Sequence, residues 1–256
     1  MTIRPSSTVL RLVAGLCISA LAATQAAAQT YSEVEPNESR ANATPIPPLP
    51  TGPGLQPGDT IGGVSTSSST TGTSPANADY FRLRIDPAPL AIYKQQIVVT
   101  NGTANQNYGV SLRGYSQASD GTINTTSDPS VASNSTVTAP RFMTWYGFGK
   151  GEFVNLRIDG GSTTTAPYTA TFTRSTVTPI AASHVFSAGP ITVSSLTSGA
   201  TNTDFWVYDA NLDPVATFGN DDNTVIGGGP GTGSLSIATR TLAPGTYYIA
   251  VSTFNL

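Results

Sequence analysis

The sequence predicts an all-β protein: an antiparallel, jelly-roll-like β-sandwich, arranged as two consecutive units. Three observations predict it. No stretch beyond residue 28 sustains an apolar period of 3.6 residues. Short alternating or wholly apolar runs occur instead, and Gly, Pro, Asn and Asp break them roughly every ten residues, the spacing of a sandwich built from many short strands.

Taken from the N-terminus, Arg4 and Arg11 come before or at the edge of an apolar stretch from Leu12 to Ala23, and Ala26, Ala27 and Ala28 follow. This order is that of a secretory signal peptide spanning 1–28, with cleavage expected between Ala28 and Gln29. The apolar stretch falls short of the roughly 20 residues a membrane span requires, so no span is expected in the mature chain. Cys17, the only cysteine, lies inside the leader, and Leu16 before it does not suit a lipoprotein signal. The mature chain therefore has no thiol for disulfides, thiolate–metal sites or nucleophilic catalysis. Export implies a secreted or cell-surface location, with the periplasm as a further destination.

Strands are expected at Tyr80–Ile85, Gln96–Thr100, Tyr108–Leu112, Phe153–Ile158, Tyr168–Phe172, Phe205–Tyr208 and Tyr247–Val251. Val154, Leu156 and Ile158 share one face of their run while Asn155 and Arg157 share the other, which marks a strand with one buried side. Pro45–Gly58 and Ser65–Ser74 read as surface linkers. A boundary near Val177–Ile180 divides the mature chain into units 29–178 and 179–256.

Two groups of residues resemble the bacterial pre-peptidase C-terminal domain family. The first is Glu33-Val34-Glu35-Pro36-Asn37-Glu38, followed by Gly58-Asp59-Thr60-Ile61-Gly62 and then Asp79-Tyr80-Phe81; the second is Tyr208-Asp209-Ala210-Asn211, Asn220-Asp221-Asp222 and Leu242-Ala243-Pro244-Gly245-Thr246-Tyr247-Tyr248. The resemblance implies a jelly-roll-like sandwich attached to secreted peptidases and surface proteins, without catalytic residues of its own. It also implies a further strand after Val251, so that either the sequence is cut short at Leu256 or that strand is missing and an edge is left open to a partner. Collagen-binding relatives hold calcium with an equivalent acidic linker, which implicates Glu33, Glu35, Asn37, Glu38 and Asp79 here. Their pattern is broken at Ala76, where they carry an aspartate. Three of the four glutamates fall within six residues, and Glu33, Glu35 and Asn37 would share one side of an extended segment. Hard oxygen donors so placed suit a structural Ca²⁺, although the same residues also read as a solvated acidic linker.

Other chemistry finds little support. After Ala28 there are 10 Lys and Arg (12 less Arg4 and Arg11) against 15 carboxylates, a net charge of −5, with no basic run in the sequence, so nucleic acid is not an expected partner. Asp204, Asp209, Asp213, Asp221 and Asp222 read as turn formers. His184 is the only histidine and no nucleophile motif accompanies it; Gly-x-Ser-x-Gly and HExxH are both absent. Glu152 reads as a turn residue, and the 227–233 glycine loop lacks a phosphate-loop lysine. An aromatic hairpin is expected around Gly149-Lys150-Gly151, with Trp145, Tyr146 and Phe153 as candidate contacts to a sugar or peptide if one face is not core. The sequence thus points to a non-catalytic module for surface adhesion or accessory binding to an extracellular protein or polysaccharide. A carbohydrate-binding or matrix-structural envelope protein is the alternative, and a secreted hydrolase is the weakest reading.

Overall fold

The structure is a computed structural model that describes residues 27–48, 52–64, 78–101, 109–114, 116–117, 123–124, 130–134, 141–159, 167–181, 185–194, 204–220 and 236–252. The protein is all-β. The first strands are β1 (Thr30–Ser32), β2 (Thr44–Ile46), β3 (Thr60–Gly63), β4 (Asp79–Arg84), β5 (Tyr93–Asn101) and β6 (Gly109–Arg113). Two short strands, β7 (Ser116–Gln117) and β8 (Ile123–Asn124), pair with each other and precede β9 (Ser130–Asn134), β10 (Arg141–Gly147), β11 (Phe153–Asp159) and β12 (Tyr168–Thr176). Then come β13 (Gly189–Ser194), β14 (Asp204–Tyr208), β15 (Pro214–Asn220), β16 (Ile237–Leu242) and β17 (Tyr248–Ser252). A single 3₁₀ turn at Arg40–Asn42 is the only helical element among the described residues.

Two five-stranded sheets, ordered β1-β3-β12-β5-β10 and β2-β4-β11-β6-β9, enclose the main core. Alternation decides which side chains enter it. In β4, Phe81 and Leu83 are fully buried while Arg82 is exposed; in β11, Leu156 and Ile158 are buried. Ile61, Ile97, Ala170 and Phe172 meet them from the first sheet. Each large side chain so buried contributes about 1.5–3 kcal/mol, which sets the register, because a one-residue slip would expose the whole row. Most pairs are antiparallel, but β1–β3 and β2–β4 run parallel. The N-terminal segment lays β1 along the edge of one sheet, crosses, and lays β2 along the edge of the other.

The segment beyond residue 185 forms separate small sheets, β13-β16 and β15-β14-β17, around Phe205, Val207, Phe218 and Ala238. Lys150 reaches it, 2.5 Å from Asp213 Oδ1, and the rings of Phe148 and Tyr208 lie 4.9 Å apart.

Two expectations are corrected. Pro45–Gly58 is not a free linker: Ile46 and Leu55 are buried in the core, and Leu55 bridges Ile85. Isolated apolar residues among Pro and Gly are enough to anchor it. The aromatic hairpin does not form, because β10 pairs with β5 whereas β11 pairs with β4 and β6. The turn between them passes from one sheet to the other. Gly149 sits there at φ +78°, and a Cβ would lie 2.7 Å from the Ala88 carbonyl, so only glycine allows the close crossing.

Candidate cation site at the sheet-bridging segment

The crossing from β1 to β2 carries the acidic residues, and its backbone groups are fixed from both sheets. Glu33 N donates to Gly62 O at 3.0 Å, and Val64 N returns a bond to Glu33 Oε1 at 2.8 Å. On the other side, Tyr80 N donates to Asn37 O at 2.9 Å, which ties the segment to β4. Thr44 Oγ1 accepts from Val34 N at 3.1 Å and from Asn37 Nδ2 at 3.3 Å. The segment is therefore docked rather than solvated.

This docking brings Glu33, Glu35 and Asp79 together, with one carboxylate oxygen of each within 4.8 Å of the others. Asp79, the first residue of β4, is 2 % exposed, whereas Glu33 is half-buried and Glu35 exposed. Tyr168 donates its hydroxyl to Asp79 Oδ2 at 2.6 Å and lies 3.5 Å from Glu33 Oε2. Burial pushes the Asp79 pKa up to about 8; the Tyr168 hydrogen bond opposes this, and Glu33 and Glu35 add to it. Like charges gathered at a partly dry site favour either a retained proton or a cation.

Of the five residues singled out in the sequence, the structure thus unites Glu33, Glu35 and Asp79. Asn37 is fully buried beside them: its backbone N–H donates to Glu35 Oε2 at 3.0 Å, while its side-chain oxygen has no hydrogen-bond partner. A buried amide oxygen left unpaired costs about 1–3 kcal/mol, so a ligand for it would stabilise the fold. Glu38 is not part of the three-carboxylate group. The three carboxylates form an all-oxygen donor set, which fits a hard divalent cation rather than a thiophilic one. Sequence spacing did not disclose Tyr168 or Thr44, whose hydroxyls order the carboxylates and Asn37.

The aromatic candidates do not form one platform. Trp145 turns inward and stacks on Phe172 at 6.1 Å, Tyr146 is 54 % exposed on the outer face of the first sheet, and Phe153 is 53 % exposed on the outer face of the second. Asp209 behaves as a turn former, accepting from Asn211 N and Asp213 N. Glu152 accepts from the N–H groups of Phe148 and Lys150 within its turn. The leader through residue 26, the Ser65–Ser74 linker, Ala76, His184, Asp221, Asp222 and the 227–233 loop lie outside the described residues. Among the described residues, no helix is long and apolar enough to cross a membrane.

No protein-family model matches the chain, and no curated protein is significantly similar to it.

Proposed function

We propose that the protein is an exported, non-catalytic binding module of adhesion or accessory type, in which a calcium ion fastens the acidic segment across the ends of both sheets. One observation carries this reading: Glu33, Glu35 and Asp79, drawn from the crossing segment and from β4, meet within 4.8 Å. Glu33, Glu35 and Asp79 would hold the ion. Calcium would supply structure rather than reaction chemistry, by neutralising carboxylates that otherwise repel one another. The leader-like N-terminus supports export, and the resemblance to pre-peptidase C-terminal domains supports an accessory role. A carbohydrate-binding or matrix-structural role is the second reading, favoured by the half-exposed rings of Tyr146 and Phe153.

The test is production of the full chain in a bacterial host, followed by fractionation and limited proteolysis. The expected product lies outside the cytoplasm, begins at Gln29, and is protected across residues 29–43 by Ca²⁺ but not in EDTA. A cytoplasmic product that keeps its leader contradicts export, and identical cleavage in Ca²⁺ and EDTA contradicts the cation.

A further inference from the structure

Asp59, the residue before β3, is buried, and among the described residues no lysine or arginine side chain pairs with it. Arg84 directs its guanidinium to the Gly52 and Pro53 carbonyls instead. Both oxygens of the carboxylate take backbone N–H groups: Oδ2 accepts from Gln56 N at 2.8 Å, and Oδ1 from Gln29 N at 2.7 Å. A carboxylate withdrawn from water is strongly stabilised by an opposite charge beside it.

Gln29 is the residue at which the signal-peptide reading begins the mature chain. Ala27 and Ala28 are exposed, so the bond between Ala28 and Gln29 stands at the surface. In the unprocessed chain Gln29 N is an uncharged amide. Cleavage turns the same nitrogen into an ammonium at neutral pH, since an α-amino group has a pKa of about 8. The new charge then lies on Asp59 without any movement of the backbone. β1 needs such an anchor, because it pairs with β3 over three residues only, in the parallel sense, at the edge of its sheet. Thr60 N donates to Gln29 O at 2.8 Å next to the carboxylate, and Glu33 N donates to Gly62 O at the other end of β1. The Tyr31 hydroxyl donates to Gln29 Oε1 at 2.8 Å, which draws the side-chain amide along the strand toward Tyr31.

We propose that Asp59 is the receptor for the chain's own processed N-terminus: cleavage after Ala28 converts the Gln29–Asp59 hydrogen bond into an ion pair that locks β1 onto β3 and keeps the terminal glutamine from cyclising. A free N-terminal glutamine closes on itself when its amine attacks the side-chain carboxamide carbon. A C–N bond to the amine forms, the C–N bond to the side-chain nitrogen breaks, and ammonia leaves with the proton the amine gives up. An ammonium held by Asp59 has no lone pair for that attack, and the carboxamide is engaged by Tyr31. The precursor has only the neutral hydrogen bond, so β1 is held less firmly until the leader is gone. The inference rests on export with cleavage after Ala28, but not on the cation.

The experiment compares two chains released from a fusion by an added protease, one beginning at Gln29 and one at Ala27. Hydrogen exchange at the Thr60 amide should be slower in the Gln29 chain by about fivefold or more, the factor that separates a charged from a neutral hydrogen bond. Asp59→Asn should abolish that difference. Mass spectrometry should show ammonia lost from the folded Gln29 chain more slowly, by a similar factor of about five, than from its folded Asp59→Asn variant. The comparison of the two wild-type chains needs no substitution and decides the matter if the variant does not fold. Equal Thr60 exchange in those two chains, a difference that survives Asp59→Asn, or ammonia loss as fast in wild type as in the variant would overturn the proposal. The added protease makes these results independent of cellular processing. An exported product that begins elsewhere than Gln29 therefore counts against the cleavage site, and equal exchange counts against Asp59 as the receptor.

Discussion

Replacing Asp79 by asparagine isolates the cost of gathering three carboxylates where two sheets meet. In the chelated protein, burial, with Glu33 and Glu35 adding to it, lifts the Asp79 carboxyl from its ordinary 3.8 to about 8, against the pull of the Tyr168 hydrogen bond. The folded chain therefore holds a proton that the unfolded chain has released throughout this window. Stability from this group is fully present below the unfolded pKa and is lost as pH rises toward the folded value, the reverse of a salt-bridged aspartate. The limiting slope is about 1.4 kcal/mol per pH unit, so wild type should lose about 2–3 kcal/mol between pH 5 and pH 7 through this residue. For a protein of this size that is a fall of about 5–10 °C in Tm. Asp79→Asn removes the slope: the variant should match wild type near pH 4 and exceed it by about 4–5 kcal/mol at pH 8 in EDTA. Urea unfolding from pH 4 to pH 8 in a Trp206→Phe background, where Trp145 in the main core is the sole tryptophan, reads it directly. Parallel wild-type and variant curves across that range, or a variant less stable than wild type at pH 8, would refute the reasoning.

Two further outcomes test the packing around the site. Phe172→Ala, which removes a fully buried ring stacked on Trp145, should cost about 3–5 kcal/mol and red-shift Trp145 emission in the folded state, and a cost below 1 kcal/mol would contradict the assigned core. Gln29 N donates to Oδ1 of the buried Asp59 at 2.7 Å. If processing leaves Gln29 as the first residue, its ammonium strengthens that bond; a chain starting at Gln29 should then be about 1–2 kcal/mol more stable to urea than one extended by Ala27-Ala28, a difference that Asp59→Asn abolishes.

Much of the first sandwich was legible in the sequence because a period of two names the buried face. Leu156 and Ile158 turn inward as their spacing requires, and β4, β5, β6, β12, β14 and β17 fall where strands were expected. Period alone does not name a neighbour. It shows that residues 141–147 and 153–159 are strands, but not that the Gly149–Gly151 turn sends them to different sheets. The linker reading of Pro45–Gly58 failed for a related reason: Ile46 and Leu55 are too isolated to form a pattern, yet each fills a place in the core. At the site, Glu33 and Glu35 are conspicuous because glutamate is scarce, and the family resemblance supplied Asp79. Tyr168 could not be seen, since it lies 89 residues from the carboxylate it orders.

Calorimetric titration of the mature protein with CaCl₂ after chelation decides whether the three carboxylates hold a cation. Saturable heat at one site per chain is expected, lost in Glu33→Gln and in Asp79→Asn, together with a higher unfolding temperature in Ca²⁺ than in EDTA. No heat at millimolar Ca²⁺ and an unchanged unfolding temperature would contradict it.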